Sequence, residues 1–219
     1  MIAMILAAGR GERMRPLTDK MPKPLLEINN KPLIVWHIEK LSQLGFKEIV
    51  INIDYLGDLI VERLGDGSKW GVKLIFSDER ESGALESAGG IIKALELLGD
   101  QFLVVNGDIW CDYEFESNFN LGDDLAHLIL VPNPEHNPKG DFAINKERAL
   151  NSEKEKFTFS GIGYYSKELF TSLEINKTPL APILREAIEH NKISASLYSG
   201  KWFDIGTPQR LSQANSISI

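Results

Sequence analysis

Two groups of charged side chains in this 219-residue chain have the types and spacing that phosphate chemistry requires. The first follows an apolar run: Leu6-Ala7-Ala8-Gly9-Arg10-Gly11-Glu12-Arg13-Met14-Arg15-Pro16-Leu17-Thr18 carries three arginines within six residues. Gly9 and Gly11 permit close backbone approach and unusual dihedrals. The N–H groups of such a loop can cradle phosphate oxygens, and arginine suits bidentate phosphate recognition. Lys23 follows in Met21-Pro22-Lys23-Pro24-Leu25, where the flanking prolines stiffen the backbone and offer a fixed cation. Each segment alone also suits a solvated turn. A dinucleotide fingerprint would need a third glycine where Met14 stands, and a P-loop would need Gly-Lys followed by Ser or Thr; the loop has neither.

The second group is acidic. Phe102-Leu103-Val104-Val105-Asn106-Gly107-Asp108 reads as a buried strand ending in a carboxylate. Ligands of open α/β sheets bind beyond the carboxyl ends of strands, and Mg²⁺ takes one or two protein carboxylates with phosphate oxygens and water. A turn aspartate is the plain alternative, and Asp112 competes for the same role. Asp204 stands between apolar residues in Trp202-Phe203-Asp204-Ile205-Gly206-Thr207-Pro208. A carboxylate there needs a partner or a metal, unless it braces the helix start that Thr207-Pro208 announces.

Taken together, the Gly-x-Gly-x-Arg loop, Pro-Lys-Pro, Asn-Gly-Asp and Trp-x-Asp-x-Gly-Thr resemble the signature of the sugar-1-phosphate nucleotidyltransferases. The resemblance implies the nucleotide-diphospho-sugar transferase fold, with Arg13 and Lys23 as catalytic cations and Mg²⁺ on Asp108 and Asp204. It implies nucleotide contacts from Ala7, Ala8, Gly9, Gly11, Arg13, Lys23, Glu86, Gly89 and Asn106. Glu86 could accept from a base N–H, while Gly89 and Gly90 would leave room for a flat ring. Gly140, Asp141 and Ser160 would serve the sugar-phosphate side, with Phe159 in the core. Asn52 points toward the same pocket or makes a structural hydrogen bond. Over nearly the whole chain the likeness is to the short bacterial N-acetylmuramate-1-phosphate uridylyltransferases of cell-wall recycling. The implied substrates are UTP and N-acetylmuramate-1-phosphate, with NDP-sugar and pyrophosphate as products. Guanylyl transfer to mannose-1-phosphate, thymidylyl transfer to glucose-1-phosphate and an inactive nucleotide-sugar sensor are the alternatives. A cytidylyl transfer to phosphocholine would want an aromatic cage, and Trp36, Trp70, Trp110 and Trp202 are scattered.

These residues need a frame to hold them. Ala3–Leu6, Glu48–Ile53, Val72–Phe76 and Phe102–Val105 read as strands. Pro32–Leu44, Tyr55–Leu64 and Ser87–Leu98 read as helices, the last with Ser87 as N-cap. That alternation predicts an α/β fold: a Rossmann-like, mixed, mostly parallel central sheet with helices on both faces. Leu125–Val131, Phe157–Tyr165 and Ala195–Tyr198 add strands, and Leu180–Glu189 and Pro208–Ile217 add helices. The polar stretch Asn133–Asn151 reads as loop. With no linker or repeat, residues 1–219 are expected to form a single domain without an appended β-helix.

Composition narrows the partners. Lys plus Arg is 24 against 31 Asp plus Glu, a net charge of −7, which disfavours nucleic acid, where a basic face is expected. No apolar stretch approaches the roughly 18 residues of a membrane span. A single cysteine, Cys111, allows no internal disulfide and fits a reduced, cytoplasmic setting. The expected state is a monomer or small homo-oligomer. The four histidines, 37, 127, 136 and 190, share no catalytic or metal-ligand spacing.

Overall fold

Apolar runs and helical segments follow one another in strict succession through the first half of the chain. The structure, a computed structural model, describes residues 1–152 and 155–216. In chain order the elements are β1 (Ile2–Leu6), β2 (Glu27–Ile28), β3 (Lys31–Pro32), α1 (Leu33–Gln43), β4 (Glu48–Ile53), α2 (Gly57–Leu64), β5 (Lys73–Asp78), α3 (Glu86–Ala94) and β6 (Gln101–Asn106). Then come β7 (Ile109–Cys111), β8 (Ala126–Val131), β9 (Ala143–Asn145), β10 (Arg148–Leu150), β11 (Thr158–Ser166), α4 (Leu180–Glu189), β12 (Ile193–Leu197), β13 (Trp202–Asp204) and α5 (Pro208–Asn215).

The main sheet has nine strands in the order β5-β4-β1-β6-β11-β8-β12-β10-β9. The first four are mutually parallel. Beyond them the sheet is mixed, with β11 antiparallel to both β6 and β8, and β12 parallel to β8. Strands from both halves of the chain therefore share one sheet. Side chains alternate between two cores: Ala3, Ile5, Ile49, Ile51, Leu103 and Val105 pack under α1 and α2. Met4, Val50, Phe102 and Val104 pack with Ala88 and Ile91 of α3 and Leu184 and Ile188 of α4. Burial on both faces is why these strands read as continuous apolar runs.

A smaller unit closes one end. β7 and β13 pair antiparallel, with Asp204 opposite Ile109 and Trp202 opposite Cys111. Under α5, Met14, Ile28, Leu33, Trp110, Ile205 and Ala214 form a third buried cluster, in which Trp36 meets Trp110 edge to face at 6.1 Å.

The structure corrects several details. The helix expected over Ser87–Leu98 runs from Glu86 to Ala94, followed by a single 3-10 turn at Leu95–Leu97. Ser87 does not cap it; the Ala88 and Gly89 N–H groups donate instead to the Thr178 carbonyl at 3.1 and 3.2 Å. The Tyr55 helix begins at Gly57 because Leu56 is left-handed, φ 54°. The pairs β2–β3, β7–β13 and β9–β10 were not foreseen, because two or three residues carry no measurable period. Two of those strands, β9 and β10, lie in the stretch read as loop. Ile217, the expected end of the last helix, lies outside the described residues.

Candidate active site

The carboxyl ends of β1, β4, β5 and β6 open into a cavity of about 550 Å³, lined by Ala7, Ala8, Gly9, Gly11, Arg13, Lys23, Asn52, Glu79, Glu86, Ser87, Asn106 and Asp108, among others. The chain crosses from β5 over to β6 on the far side of β1, so the cavity sits where the strand order reverses, the usual ligand site of such sheets. Gly11 takes φ 69°, and a Cβ there would press on Thr18 and Lys23 at 3.1 and 3.2 Å. The Thr18 hydroxyl donates to the Gly11 carbonyl at 2.8 Å and ties the loop down. At Gly9 a Cβ would meet nothing within 4 Å, leaving the backbone open to a ligand.

One buried relay fixes the loop to the α3 side. The Ala7 N–H donates to Asn52 Oδ1 at 2.7 Å, and Asn52 Nδ2 donates to Glu79 Oε1 at 2.7 Å. The Leu85 N–H donates to Glu79 Oε2 at 3.0 Å. Glu79 is only 1% exposed, and burial raises its carboxyl above the usual range. Asn52 thus does both things the sequence allowed: it lines the cavity and makes structural hydrogen bonds. Ala7 contributes its wall but not its amide, which is already bound.

Of the three loop arginines only Arg13 lines the cavity. Arg10 lies 4.4 Å over the Tyr55 ring and Arg15 sits 3.2 Å from Asp19. Lys23 is buried, and its Nζ donates to Asp108 Oδ2 at 2.6 Å. Glu86 lines the cavity with its carboxylate 3.7 Å from Lys177 Nζ. Gly89 does not leave room for a ring: the Asn176 carbonyl fills the place of its Cβ. Gly90 is likewise closed, by Glu79 Oε1 and Asn52 Nδ2 at 2.7 and 2.8 Å.

Asp108 follows β6 directly, and its carbonyl accepts the Ile205 N–H at 2.8 Å. This bond and the β7–β13 register bring the backbones of Asp108 and Asp204 next to each other. Across α1, His37 Nε2–H donates to the Ile109 carbonyl at 2.8 Å, and burial pushes its imidazole down to about 4, so it is a neutral brace for β7. Asp112 takes the Tyr198 hydroxyl and lines neither cavity described here. Burial pushes the Cys111 thiol up to about 11, which makes it inert.

A second cavity of about 820 Å³ shares Arg13 with the first and is lined also by Pro134, His136, Ser199, Trp202, Asp204, Thr207, Gln209, Arg210 and Gln213. Gly140, Asp141 and Ser160 line neither cavity. The Asp141 carboxylate accepts the Phe159 N–H at 2.8 Å. Ser160 donates to the Ile129 carbonyl at 2.7 Å and accepts the Ile162 N–H at 3.1 Å across a bulge in β11. Gly140, at φ 62°, packs on Asn133 and Lys156. Their polar groups serve the local turn and bulge, and Phe159 packs against the core as expected. Glu79, Lys177 and Arg210 went unread and His136 was set aside for lack of spacing; none lies in a motif, Glu79, Lys177 and His136 arrive through turns or loops, and Arg210 arrives from the first turn of α5.

Residues 2–218 match the nucleotidyl transferase family. The chain belongs to that family. It is 49% identical over 228 aligned residues to an N-acetylmuramate alpha-1-phosphate uridylyltransferase of Neisseria meningitidis serogroup B, covering 100% of this chain and 98% of the relative. It is 30% identical to a mannose-1-phosphate guanyltransferase of Yarrowia lipolytica, covering 95% of this chain but 61% of that longer protein. Among solved structures, one from Bacillus anthracis described as a glucose-1-phosphate thymidylyltransferase superposes with a TM-score of 0.87 at 23% identity, covering 100% and 97% of the two chains. The inositol-1-phosphate CTP transferase from T. maritima gives 0.79 at 17% identity, with 100% and 97% covered. At those identities the likeness is one of fold.

The donor set fits the divalent ion that this family generally uses. Asp204 Oδ1 is buried and has no hydrogen-bond partner among the described residues, an arrangement that calls for an explanation, and a bound cation would supply one. No cluster of three or more His, Cys, Asp or Glu suited to a metal occurs among the described residues. Two carboxylates suit Mg²⁺, which completes its shell with phosphate oxygens and water. No helix among the described residues is long and apolar enough to cross a membrane.

Proposed function

We propose that this chain transfers UMP from UTP to N-acetylmuramate α-1-phosphate, forming UDP-N-acetylmuramate and pyrophosphate. The observation that carries this is the meeting of two cavities at Arg13, with Asp108 on one and Asp204 on the other, the first just before β7 and the second on its partner strand β13. The nucleotide takes the first cavity, with its phosphates toward the Gly9–Arg13 loop and its base toward Glu86 and Ser87. The sugar phosphate takes the second, between His136, Trp202 and Gln213. That assignment replaces Gly140, Asp141 and Ser160, whose polar groups are engaged elsewhere.

An acceptor phosphate oxygen attacks the α-phosphorus, and the bond to the pyrophosphate oxygen breaks. A phosphate monoester is already largely dianionic near pH 7, so no protein base is needed. Alignment and charge carry the rate. Arg13, on the wall common to both cavities, neutralises charge that grows between the substrates. Lys23 is held at the cavity edge by its prolines and by Asp108, so little reorganisation is needed when phosphate arrives. Mg²⁺ held by Asp108 and Asp204 would supply further charge neutralisation at the phosphates. A cytoplasmic setting, where UTP is abundant, fits this reaction.

The 30%-identical relative makes guanylyl transfer to mannose-1-phosphate the second reading. A matrix of the four common nucleoside triphosphates against sugar-1-phosphates, scored by pyrophosphate release with Mg²⁺, separates them. UTP with N-acetylmuramate α-1-phosphate is expected to lead clearly; GTP with mannose-1-phosphate leading would reverse the assignment.

A further inference from the structure

We propose that Arg210 is the positioning residue for Asp204, clamping one carboxylate oxygen so that the other is offered to the cation, and that Gly206 exists to let it reach. This rests on the reading of Asp204 as a metal ligand. Arg210 Nη1 donates to Asp204 Oδ2 at 2.7 Å, with the two side chains only 17% and 21% exposed. His136 Nε2 approaches the same oxygen from the 132–138 loop at 3.1 Å. Oδ2 is therefore held from two sides, while Oδ1 is buried without a partner.

The backbone is arranged for this clamp. Thr207 caps α5, its hydroxyl accepting the Arg210 N–H at 3.3 Å, with Pro208 in the first turn. Helix side chains lean toward the N-terminus, so Arg210 folds back over Gly206 onto Asp204. A Cβ at Gly206 would collide with the guanidinium and come within 2.9 Å of Asp204 Oδ1. Glycine is needed at 206 for that passage, not for a left-handed turn. The χ2 of aspartate is soft and roughly two-fold, so an unclamped carboxylate would rotate between productive and unproductive settings. Residues that orient a ligating carboxylate typically set metal affinity by about 10- to 100-fold.

Mn²⁺ alone, titrated into the whole protein and followed by the electron paramagnetic resonance of the free ion, tests this without turnover. Asp204→Asn is expected to abolish site binding. Arg210→Gln and Gly206→Ala are each expected to weaken it about tenfold or more, and Arg210→Lys to recover part of the loss. Thermal melts accompany each variant. Should Arg210→Gln fail to fold, Arg210→Met, which keeps the aliphatic stem, carries the test, because a Cβ at 206 presses on Asp204 Oδ1 itself as well as on the guanidinium. Wild-type Mn²⁺ affinity in folded Arg210→Gln, Arg210→Met or Gly206→Ala, with Asp204→Asn defective, overturns the proposal. The same result with a raised KM for the sugar phosphate would make Arg210 an acceptor contact instead. Unchanged Mn²⁺ binding in Asp204→Asn would instead remove the metal assignment on which the proposal stands.

Discussion

Three arginines in one loop meet three different fates. Arg10 stacks on Tyr55, Arg15 pairs with Asp19, and Arg13 alone lines both cavities. A charge-assisted hydrogen bond contributes about 1.5–3 kcal/mol, which corresponds to roughly a 10- to 100-fold change. Arg13→Ala should therefore lower kcat/KM for pyrophosphate release by that factor, while Arg10→Ala stays within about threefold; equal losses would contradict the assignment. Two glycines invite a matching contrast. Gly9→Ala should melt as wild type yet raise the nucleotide KM, since its Cβ enters open space. Gly89→Ala drives a Cβ into the Asn176 backbone and should cost about 1–3 kcal/mol of stability, as overpacking does; the reverse pattern in chemical denaturation and KM would refute both placements. The sequence showed glycines at both positions but not which of them faced a ligand. Arg13, Lys23, Asp108 and Asp204 were legible because each sits inside a local motif. Glu79, Lys177, His136 and Arg210 were not, because only tertiary packing brings them in.

At the level of elements, α1 steadies the strand that follows Asp108. His37 is buried and neutral, its Nε2–H on the Ile109 carbonyl, and its pKa falls from 6.5 to about 4. Between those values the unfolded chain binds a proton that the folded chain refuses. Stability is therefore full above about pH 6.5 and is lost as pH falls toward 4, by up to about 1.4 kcal/mol per pH unit from this group. His37→Gln keeps a donor without titrating, so urea melts at pH 7, 6 and 5 should show a shallower decline in that variant. Identical slopes would mean that His37 charges freely in the fold. The long elements were readable from periodicity, and their ends moved by a few residues. The ribbon β7–β13 was not readable, although it is what brings Asp108 to Asp204. Its three-residue strands are specified by register and by the Trp110 cluster rather than by local pattern. Ser160 shows the converse: its type suggested a sugar contact, but a bulge in β11 claims its hydroxyl.

Across the whole molecule, strands from both halves build one sheet, and its carboxyl edge sets the cavity proposed for the nucleotide beside the one proposed for the acceptor. A net charge of −7 conceals local cations, Arg13 and Lys23, on the wall of the first cavity, where the proposed reaction brings the phosphates together. In the proposed reaction Asp108 and Asp204 act as halves of one centre, although they are about 100 residues apart in sequence. The most direct test is the rate of pyrophosphate release from UTP and N-acetylmuramate α-1-phosphate by wild type, Asp108→Asn and Asp204→Asn, each checked by circular dichroism. Both variants should keep the fold and lose about 100-fold or more in rate, as expected when a group stabilising transition-state charge is removed. Wild-type turnover by either folded variant would contradict the shared centre.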